Sequence, residues 1–356
     1  MKPIPKQVEP VLLKGLKLAA RGKVCELYYL TGWPGLLLKV ISDRASVHDI
    51  ILPFLVPLKG VVLNLVDWWW RAQMPWVRHD VIAVGKKVDD FLPKELRGNA
   101  DLHRRARVIV AGNALPVELV FRWLLTGTGL KMYKKNGGVV CGQKLPGGMV
   151  EWDEINPSAA TPTTKDPDGH DEHMELQVAI KQFGPEPFAL THPLFELGRR
   201  IAAERGIIIA DTKFEVGRNE RGEPVLIDEV LTPDSSRFLP PEELAMARAT
   251  PGYKPASYDK QPIRNYVSET LKVGADTPLT DDVVARVHGH EYPSTLVEQT
   301  TGRYESLHGK LTGMTIDEHV ASLMRTPTCP KCGSTNLKLE HGKSTLECLD
   351  CRYGSD

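Results

Sequence analysis

Apolar and polar positions alternate along this chain with two periods, and each period predicts its own elements. The runs KVCELYYL and LLLKVI, on either side of Thr31-Gly-Trp-Pro-Gly35, are rich in large and β-branched residues and predict a β-hairpin with a long loop. After Gly60, the residues Val62, Leu65, Val66 and Trp69 fall at i, i+3, i+4 and i+7, the apolar face of a helix whose tryptophans belong in the core. From Lys86 to Arg107 the composition turns charged and broken, which predicts a connection between an N-terminal domain and the main body. Glu118 and Arg122 share a face of the stretch Pro116 to Leu125 whether it is strand or helix. Pro116 before it and Thr126-Gly127 after it favour a strand. Residues 141–173 are rich in Gly, Pro and Thr and read as a long ordered loop, a feature that in compact enzymes usually carries function. Pro193 to Arg205 reads as a helix opened by proline and stopped by Gly206, and the apolar run Ile207-Ile208-Ile209 follows at once.

The segment from Ile207 to Arg237 is the most informative. As a strand, Ile207 to Val216 puts Asp211, Lys213 and Glu215 on one face and Ala210, Thr212, Phe214 and Val216 on the other. A return strand from Pro224 to Val230, joined by a two-residue turn at Arg221-Gly222, pairs Glu220 with Glu223 and brings Glu215 opposite Asp228. Facing carboxylates repel unless a cation lies between them, and Mg²⁺ prefers one or two carboxylates plus phosphate oxygens. An exposed polar face on a solvated hairpin is the competing reading of the same pattern. Next, Thr232-Pro-Asp-Ser-Ser-Arg237 combines hydroxyls with a guanidinium, which suits an anion and equally suits an ordinary capped turn.

Composition sharpens this picture in three ways. A length of 356 residues with 42% hydrophobic content predicts about two domains with real cores. Lys+Arg 45 against Asp+Glu 45 removes the overall basic excess expected of a nucleic-acid or anionic-membrane binder. No stretch approaches the roughly 18 apolar residues of a membrane span, and MKPIPKQVEP lacks the apolar run of a signal peptide, so the expected compartment is the reducing cytoplasm. All seven tryptophans lie at or before Trp152, so the two halves differ in composition.

At the N-terminal end, Gly22-Lys23 and Lys59-Gly60 each set a cation beside a flexible backbone position, while the P-loop and Rossmann patterns are missing from the sequence. An ordered set of segments carries more weight: GKVCELY (22–28), SDRASVHD (42–49), PLKGVVL (57–63), LPVELVFRWLLTGTGLKMY (115–133), CGQKLPGG (141–148), TPTTKDPDGHDE (161–172), DTKFEVG (211–217), LIDEVLTPDSSRF (226–238) and SYDKQPIRNY (257–266). Together they closely resemble the phosphoribosylaminoimidazole-succinocarboxamide synthase (SAICAR synthetase) family over roughly residues 15 to 313.

The resemblance implies a two-domain α+β fold with an ATP-grasp-like nucleotide site between the domains. Residues 1–105 would be a β-rich nucleotide-covering domain, 106–313 the catalytic domain and 314–326 a linker. It implies a ligase that joins L-aspartate to the carboxylate of carboxyaminoimidazole ribonucleotide (CAIR) through an acyl phosphate, using ATP and Mg²⁺ and giving SAICAR, ADP and phosphate in purine biosynthesis. On that resemblance Gly22, Lys23, Lys59 and Glu118 contact ATP under a lid-like 22–44 hairpin, and Glu215 and Asp228 hold the metal. Arg122, Thr128, Ser235, Ser236, Arg237 and Lys260, with Gln261 beside it, contact the imidazole nucleotide or aspartate. Asp211 and Lys213 are the catalytic candidates, Lys213 stabilising charge as the acyl phosphate forms. The family usually reads GKVRD or GKAK where this chain has Gly22-Lys23-Val24-Cys25, so one cation near the phosphates is missing or comes from elsewhere. Val47-His48, where the family tends to have an aromatic residue near Asp49, and Pro262 after Asp259-Lys260-Gln261 also depart from its pattern. These departures leave open the same chemistry on a modified acid or amine, and an inactive ligase fold that acts as a binding module.

The C-terminus is a separate unit. Cys329-x2-Cys332-x15-Cys348-x2-Cys351 has the spacing of a four-cysteine zinc ribbon at 327–356, while Cys25 and Cys141 stand apart. Lys331, Lys338, Lys343 and Arg352 are matched there by Glu340, Glu347, Asp350 and Asp356, and four thiolates around Zn²⁺ add about two negative charges, so phosphate binding has no electrostatic support. The expectation is a structural zinc module that makes packing, homo-oligomer or partner contacts rather than nucleic-acid contacts.

Overall fold

A computed structural model describes residues 12–165, 172–274, 277–325, 337–339, 346–348 and 350–351. The first sheet is built from β1 (Lys17–Arg21), β2 (Cys25–Tyr29) and β3 (Leu36–Ile41), an antiparallel meander in which Cys25 faces Ile41 and Leu27 faces Lys39. The predicted hairpin is therefore present. A second hairpin, β4 (Arg44–Val47) with β5 (Ile50–Leu55), leads into helix α1 (Lys59–Gln73), whose apolar stripe runs through Val62, Val66 and Trp69. Asp43 Oδ1 accepts the Gly60 amide at 2.8 Å and satisfies one of the unpaired donors at the start of α1.

The charged stretch 86–107 is not a simple connection. After β6 (Val81–Val84) come 3₁₀ turns at 85–90 and 94–96, helix α2 (Ala100–Arg105) and strand β7 (Ala106–Val110), and β7 enters the first sheet between β3 and β6. The expected boundary at residue 105 thus precedes a strand of the N-terminal sheet. Leu102, Ala106 and Val108 are buried with Tyr28 and Leu38, so apolar residues spaced among the charges fold the segment onto that sheet.

Strand β8 (Asn113–Leu124) begins the second sheet and confirms the strand expected at 116–125. Helix α3 (Gly127–Lys135) follows, then β9 (Val139–Val140), β10 (Gln143–Lys144), β11 (Glu154–Ala160) and β12 (Thr163–Thr164). The loop expected at 141–173 therefore contains strands, two of which, β11 and β12, pair with β8. Helices α4 (Leu176–Phe183) and α5 (Glu186–Ala203) come next. The expected start of α5 at Pro193 is corrected: Pro187 lies in the first turn, where its missing N–H costs nothing, and Pro193 lies inside the helix.

Strand β13 (Ile208–Arg218) is the centre of the six-stranded sheet, flanked by β8 and by β14 (Pro224–Ile227) and β15 (Ser236–Leu239). Its apolar face buries Phe214 and Val216 against Phe121 of β8 and Phe195 of α5. Its register with β14 also differs from expectation. Glu215 faces Ile227, not Asp228, because Asn219 Oδ1 accepts the amides of Arg221 and Glu223 and makes the turn longer than two residues.

Helices α6 (Pro241–Ala249), α7 (Gln261–Thr270), α8 (Asp281–Gly289), α9 (Ser294–Thr312) and α10 (Ile316–Met324) complete the body. Helix α9 packs on α1 and presents Tyr304 to the interior, while α7 and α8 close over β4 and β5. Strands β16 (Leu337–Leu339) and β17 (Leu346–Cys348) pair antiparallel. Among the described residues no helix is long and apolar enough to cross a membrane.

Gly60 sets how closely α1 approaches β3: a Cβ there would lie 2.5 Å from the Ile41 carbonyl oxygen, which is backbone and cannot swing away. Gly60→Ala is expected to destabilise the fold by about 2 kcal/mol, the range of an overpacked core, measured as a lower denaturant midpoint. An unchanged midpoint would show that α1 can shift freely against the sheet.

Candidate active site

The polar face of the second sheet is generated by strand pairing. Register places Arg122 opposite Asp211 and Glu118 opposite Glu215 across β8 and β13, and Arg237 of β15 opposite Asp211 from the other side. Opposite residues in an antiparallel pair share a face, so Glu118, Arg122, Asp211, Lys213, Glu215 and Arg237 all point the same way. Thr212 and Ser236 form the alternate pair on the far face, and their hydroxyls bond each other at 2.7 Å. Ser236 is therefore not brought to the side of the two arginines.

At one end of this face two guanidiniums converge on Asp211, Arg122 at 3.2 Å and Arg237 at 3.5 Å. Arg122 also donates to Thr128 and Thr161, each at 2.9 Å, and Arg237 donates to Thr126 at 3.3 Å. Arg122 and Thr128 thus meet as expected, while Thr126 and Thr161 were not anticipated. Ser235 sits in the turn before β15, where its hydroxyl accepts the Thr232 amide at 3.1 Å.

At the other end the carboxylates are interleaved with lysines. Lys213 donates to Glu118 at 2.6 Å, Lys165 pairs with Glu215, and Lys39 of β3 pairs with Asp228. Asp228 lies just past β14, where a regular strand would turn it away from Glu215. Its φ of 57° breaks that alternation. The two carboxylates remain electrostatically close: burial and the Asp228 charge push Glu215 up to about 7, against Lys165 and Lys213. Burial acts the same way on Asp228, but Lys39 overrides it, with help from Lys165 and Lys213, and holds it well below the usual carboxylate range. The ladder pairing expected for these two carboxylates is therefore absent, and Asp228 acts on Glu215 from a left-handed position beyond the strand.

A third group surrounds Asp234, which accepts from Lys59 at 2.8 Å, Lys260 at 3.5 Å and Tyr304 Oη at 2.6 Å. Lys59 is fully buried, and Asp234 is the counter-ion that makes this tolerable. For Lys260, burial together with Arg264 and Lys59 outweighs Asp234 and lowers its pKa to about 8. Gln261 donates to Asn265 at 2.8 Å, along α7. At the N-terminal hairpin Gly22 donates to the Cys25 carbonyl at 2.8 Å, and Lys23 on that turn pairs with Asp49. Buried Arg44 donates to the carbonyls of Gly22 and Lys23, both at 3.1 Å, and fixes the turn's shape.

Sequence reasoning missed Lys39, Lys165 and Asp234. One signal was present, a lysine interrupting the apolar run LLLKVI. The result is a line of paired charges with arginines at one end and lysines at the other, suited to two anionic ligands whose reacting groups meet between them. Among the described residues no group of three or more His, Cys, Asp and Glu is placed to hold a metal by itself. Two hard carboxylates that leave coordination positions for phosphate oxygens do fit Mg²⁺.

Comparison with known proteins agrees with this arrangement. A family model described as SAICAR synthetase matches residues 18–278. The phosphoribosylaminoimidazole-succinocarboxamide synthase of Thermobifida fusca is 38% identical over 316 residues, covering 86% of this chain and 95% of that protein. That of Geobacter metallireducens is 38% identical over 296 residues, covering 80% and 95%. The solved SAICAR synthase of Saccharomyces cerevisiae, complexed with SAICAR, superposes with a TM-score of 0.71 at 31% identity, covering 87% of this chain and 99% of that one. A SAICAR synthetase solved in complex with ADP shares the fold, with a TM-score of 0.55 at 17% identity. With its paired-charge face and a match over most of its length, the chain belongs to the SAICAR synthetase family.

Proposed function

We infer that this protein joins L-aspartate to the carboxylate of CAIR, converting ATP to ADP and phosphate. The observation that carries the reading is the single face on which two arginines, a carboxylate pair and several lysines converge. Family membership supports it, as do the SAICAR-bound and ADP-bound relatives.

In this reading Lys23 and Lys59 lie along the ATP phosphates, with Glu118 near the nucleotide and the Gly22 turn above it. Glu215 and Asp228 hold Mg²⁺, which when bound neutralises phosphate oxygens. Arg122 and Arg237, with Thr128 and Ser235, receive the phosphate and planar carboxylate of the imidazole nucleotide, anions that guanidinium forks match in pairs. Asp211 serves by holding those two guanidiniums in place. The nucleotide's carboxylate oxygen attacks the γ-phosphorus as the bond to the β-phosphate oxygen breaks, giving ADP and an acyl phosphate. Lys213 offsets charge on the transferring group, which is most of what phosphoryl transfer asks of a protein. The aspartate amine then attacks the acyl carbon, phosphate leaves, and the amine's proton is lost. Lys260 beside Asp234 is placed to meet the aspartate carboxylates.

The C-terminal cysteines form a second proposal. Cys329 and Cys332 lie outside the described residues, and Cys348 ends β17, whose antiparallel pairing with β16 lies between the two Cys-x2-Cys pairs. A short hairpin between two such pairs is what a zinc ribbon requires.

Incubation with ATP, Mg²⁺, CAIR and aspartate should yield SAICAR and ADP together, and ADP release only with another amine would redirect the substrate assignment. Asp228→Asn should lower turnover on the order of 10²–10³-fold with circular dichroism unchanged, and near-normal turnover would remove the metal assignment. Because its folded pKa is raised, Glu215 carries a proton below about pH 7, and Mg²⁺ must displace it. The half-saturating Mg²⁺ concentration should therefore fall roughly tenfold per unit as pH rises toward 7 and then level off, and Glu215→Gln should flatten that slope. Elemental analysis should find about one zinc per chain, lost in Cys348→Ser, and a zinc-free wild type would end the ribbon proposal.

A further inference from the structure

Lys39 is an anomaly both in sequence and in space. It interrupts the apolar run Leu36–Ile41 and is buried, at 5% exposure, in the middle strand of the five-stranded N-terminal sheet. A lysine in such a place requires a compensating charge, and it finds one 189 residues away in Asp228. Burial alone would lower the lysine's pKa, but the Asp228 carboxylate reverses the shift.

Its neighbours show what the charge serves. Cys25 faces Ile41 and Leu27 faces Lys39 across β2 and β3, so Cys25 and Lys39 are diagonal neighbours on one face, within reach of a long side chain. Cys25 closes the turn that carries Gly22 and Lys23, and its Sγ would lie 3.3 Å from a Cβ built on Gly22. Burial pushes its thiol pKa up, so Cys25 brings no charge to the position that would be arginine in the GKVRD pattern this chain resembles. On β7, Arg107 lies directly opposite Lys39 and shares that face, but it is committed to Asp67 and Asn64.

We propose that Lys39 supplies from β3 the phosphate-facing cation that this chain lacks at Cys25, the charge having moved one strand across the sheet. The assignment rests on the nucleotide site proposed above, because Lys39 pairs with Asp228 and lies diagonal to Cys25, which closes the Lys23 turn.

The test is nucleotide binding by titration calorimetry in EDTA, with ADP compared against adenosine, so that the carboxylate–metal route is silent. Lys39→Met should weaken ADP about tenfold or more and leave adenosine unchanged, the loss expected for one charge-assisted hydrogen bond. Lys39→Arg should stay within about threefold of wild type, since the charge is kept. Cys25→Arg introduced into Lys39→Met should recover most of the ADP affinity. Because Lys39→Met also bares the Asp228 carboxylate, the comparison is repeated with Asp228→Asn: Lys39→Met/Asp228→Asn should bind ADP about tenfold or more weaker than Asp228→Asn alone, and equal ADP affinity in the two would reduce Lys39 to a structural counter-ion of Asp228 and overturn the proposal. So would unchanged ADP binding in Lys39→Met, or no recovery in a double variant whose melting temperature matches its parent. A wild type that binds ADP tightly but makes no SAICAR would instead overturn the substrate assignment and leave the role of Lys39 standing.

Discussion

Asp67 is the carboxylate on which the placement of the active site depends. It is fully buried near the middle of α1 and accepts from Arg71 at 2.8 Å, from Arg107 of β7, and from the Val230 amide at 2.8 Å. Burial would push its pKa up, yet the two guanidiniums bring it below the ordinary carboxylate value. Removing one partner would leave an uncompensated buried charge, a loss of about 3–5 kcal/mol. The geometry matters as much as the energy. Arg71 extends from Asp67 to the Asp228 carbonyl at 2.9 Å, so one helix clamps the chain at residues 228 and 230 while Arg107 ties it to the first sheet. Asp228 can hold a left-handed backbone because its carbonyl and the Val230 amide just beyond it are fixed by Arg71 and Asp67.

This clamp explains which parts of the site the sequence could reveal. The two faces of β13 follow from side-chain alternation alone, so Asp211, Lys213 and Glu215 could be grouped without coordinates, and Arg122 and Glu118 joined them through the period of β8. Register was harder. Counting outward from Arg221-Gly222 presumes the tightest turn, and the Asn219 side chain makes a longer one by accepting two amides. A shift of one residue reverses every side chain on a strand. Glu215 faces Ile227 instead of Asp228, and Asp228, which leaves the strand with positive φ, acts on it only through its charge.

Other errors have similarly local causes. Pro193 was read as a helix start because proline favours first turns, but Pro187 takes that role and α5 continues through Pro193. The charged segment 86–107 resembled a linker because its apolar residues are spaced singly, and single spacing is what short 3₁₀ turns and a six-residue helix produce. The lysine partners lay beyond any local pattern. Lys39 and Asp228 are separated by 189 residues, Lys59 and Asp234 by 175, and Lys213 and Glu118 by 95. Such pairs are fixed by topology, and topology has no short-range signature.

Equal numbers of acidic and basic residues over the whole chain have a counterpart at the site, where the cations assigned to ligands are already held by carboxylates. Lys39, Lys59, Lys213, Arg122 and Arg237 each hold a position against Asp or Glu, so their side chains are ordered before any ligand arrives. An ordered cation forfeits little rotamer entropy on meeting a phosphate, whereas a free surface lysine would give up about 2 kcal/mol of it. The carboxylates that do the ordering would repel the incoming anion if left bare. In the proposed reading Glu215 and Asp228 would hold Mg²⁺, which would turn that repulsion into a site for the cation that accompanies ATP. Of the rest, Asp211 and Asp234 each accept from more than one cation and keep part of that charge compensated when a ligand draws on it. Pairing in the unliganded protein and binding of a polyphosphate are therefore two uses of one charge arrangement, and α1 must hold Asp228 in register for both.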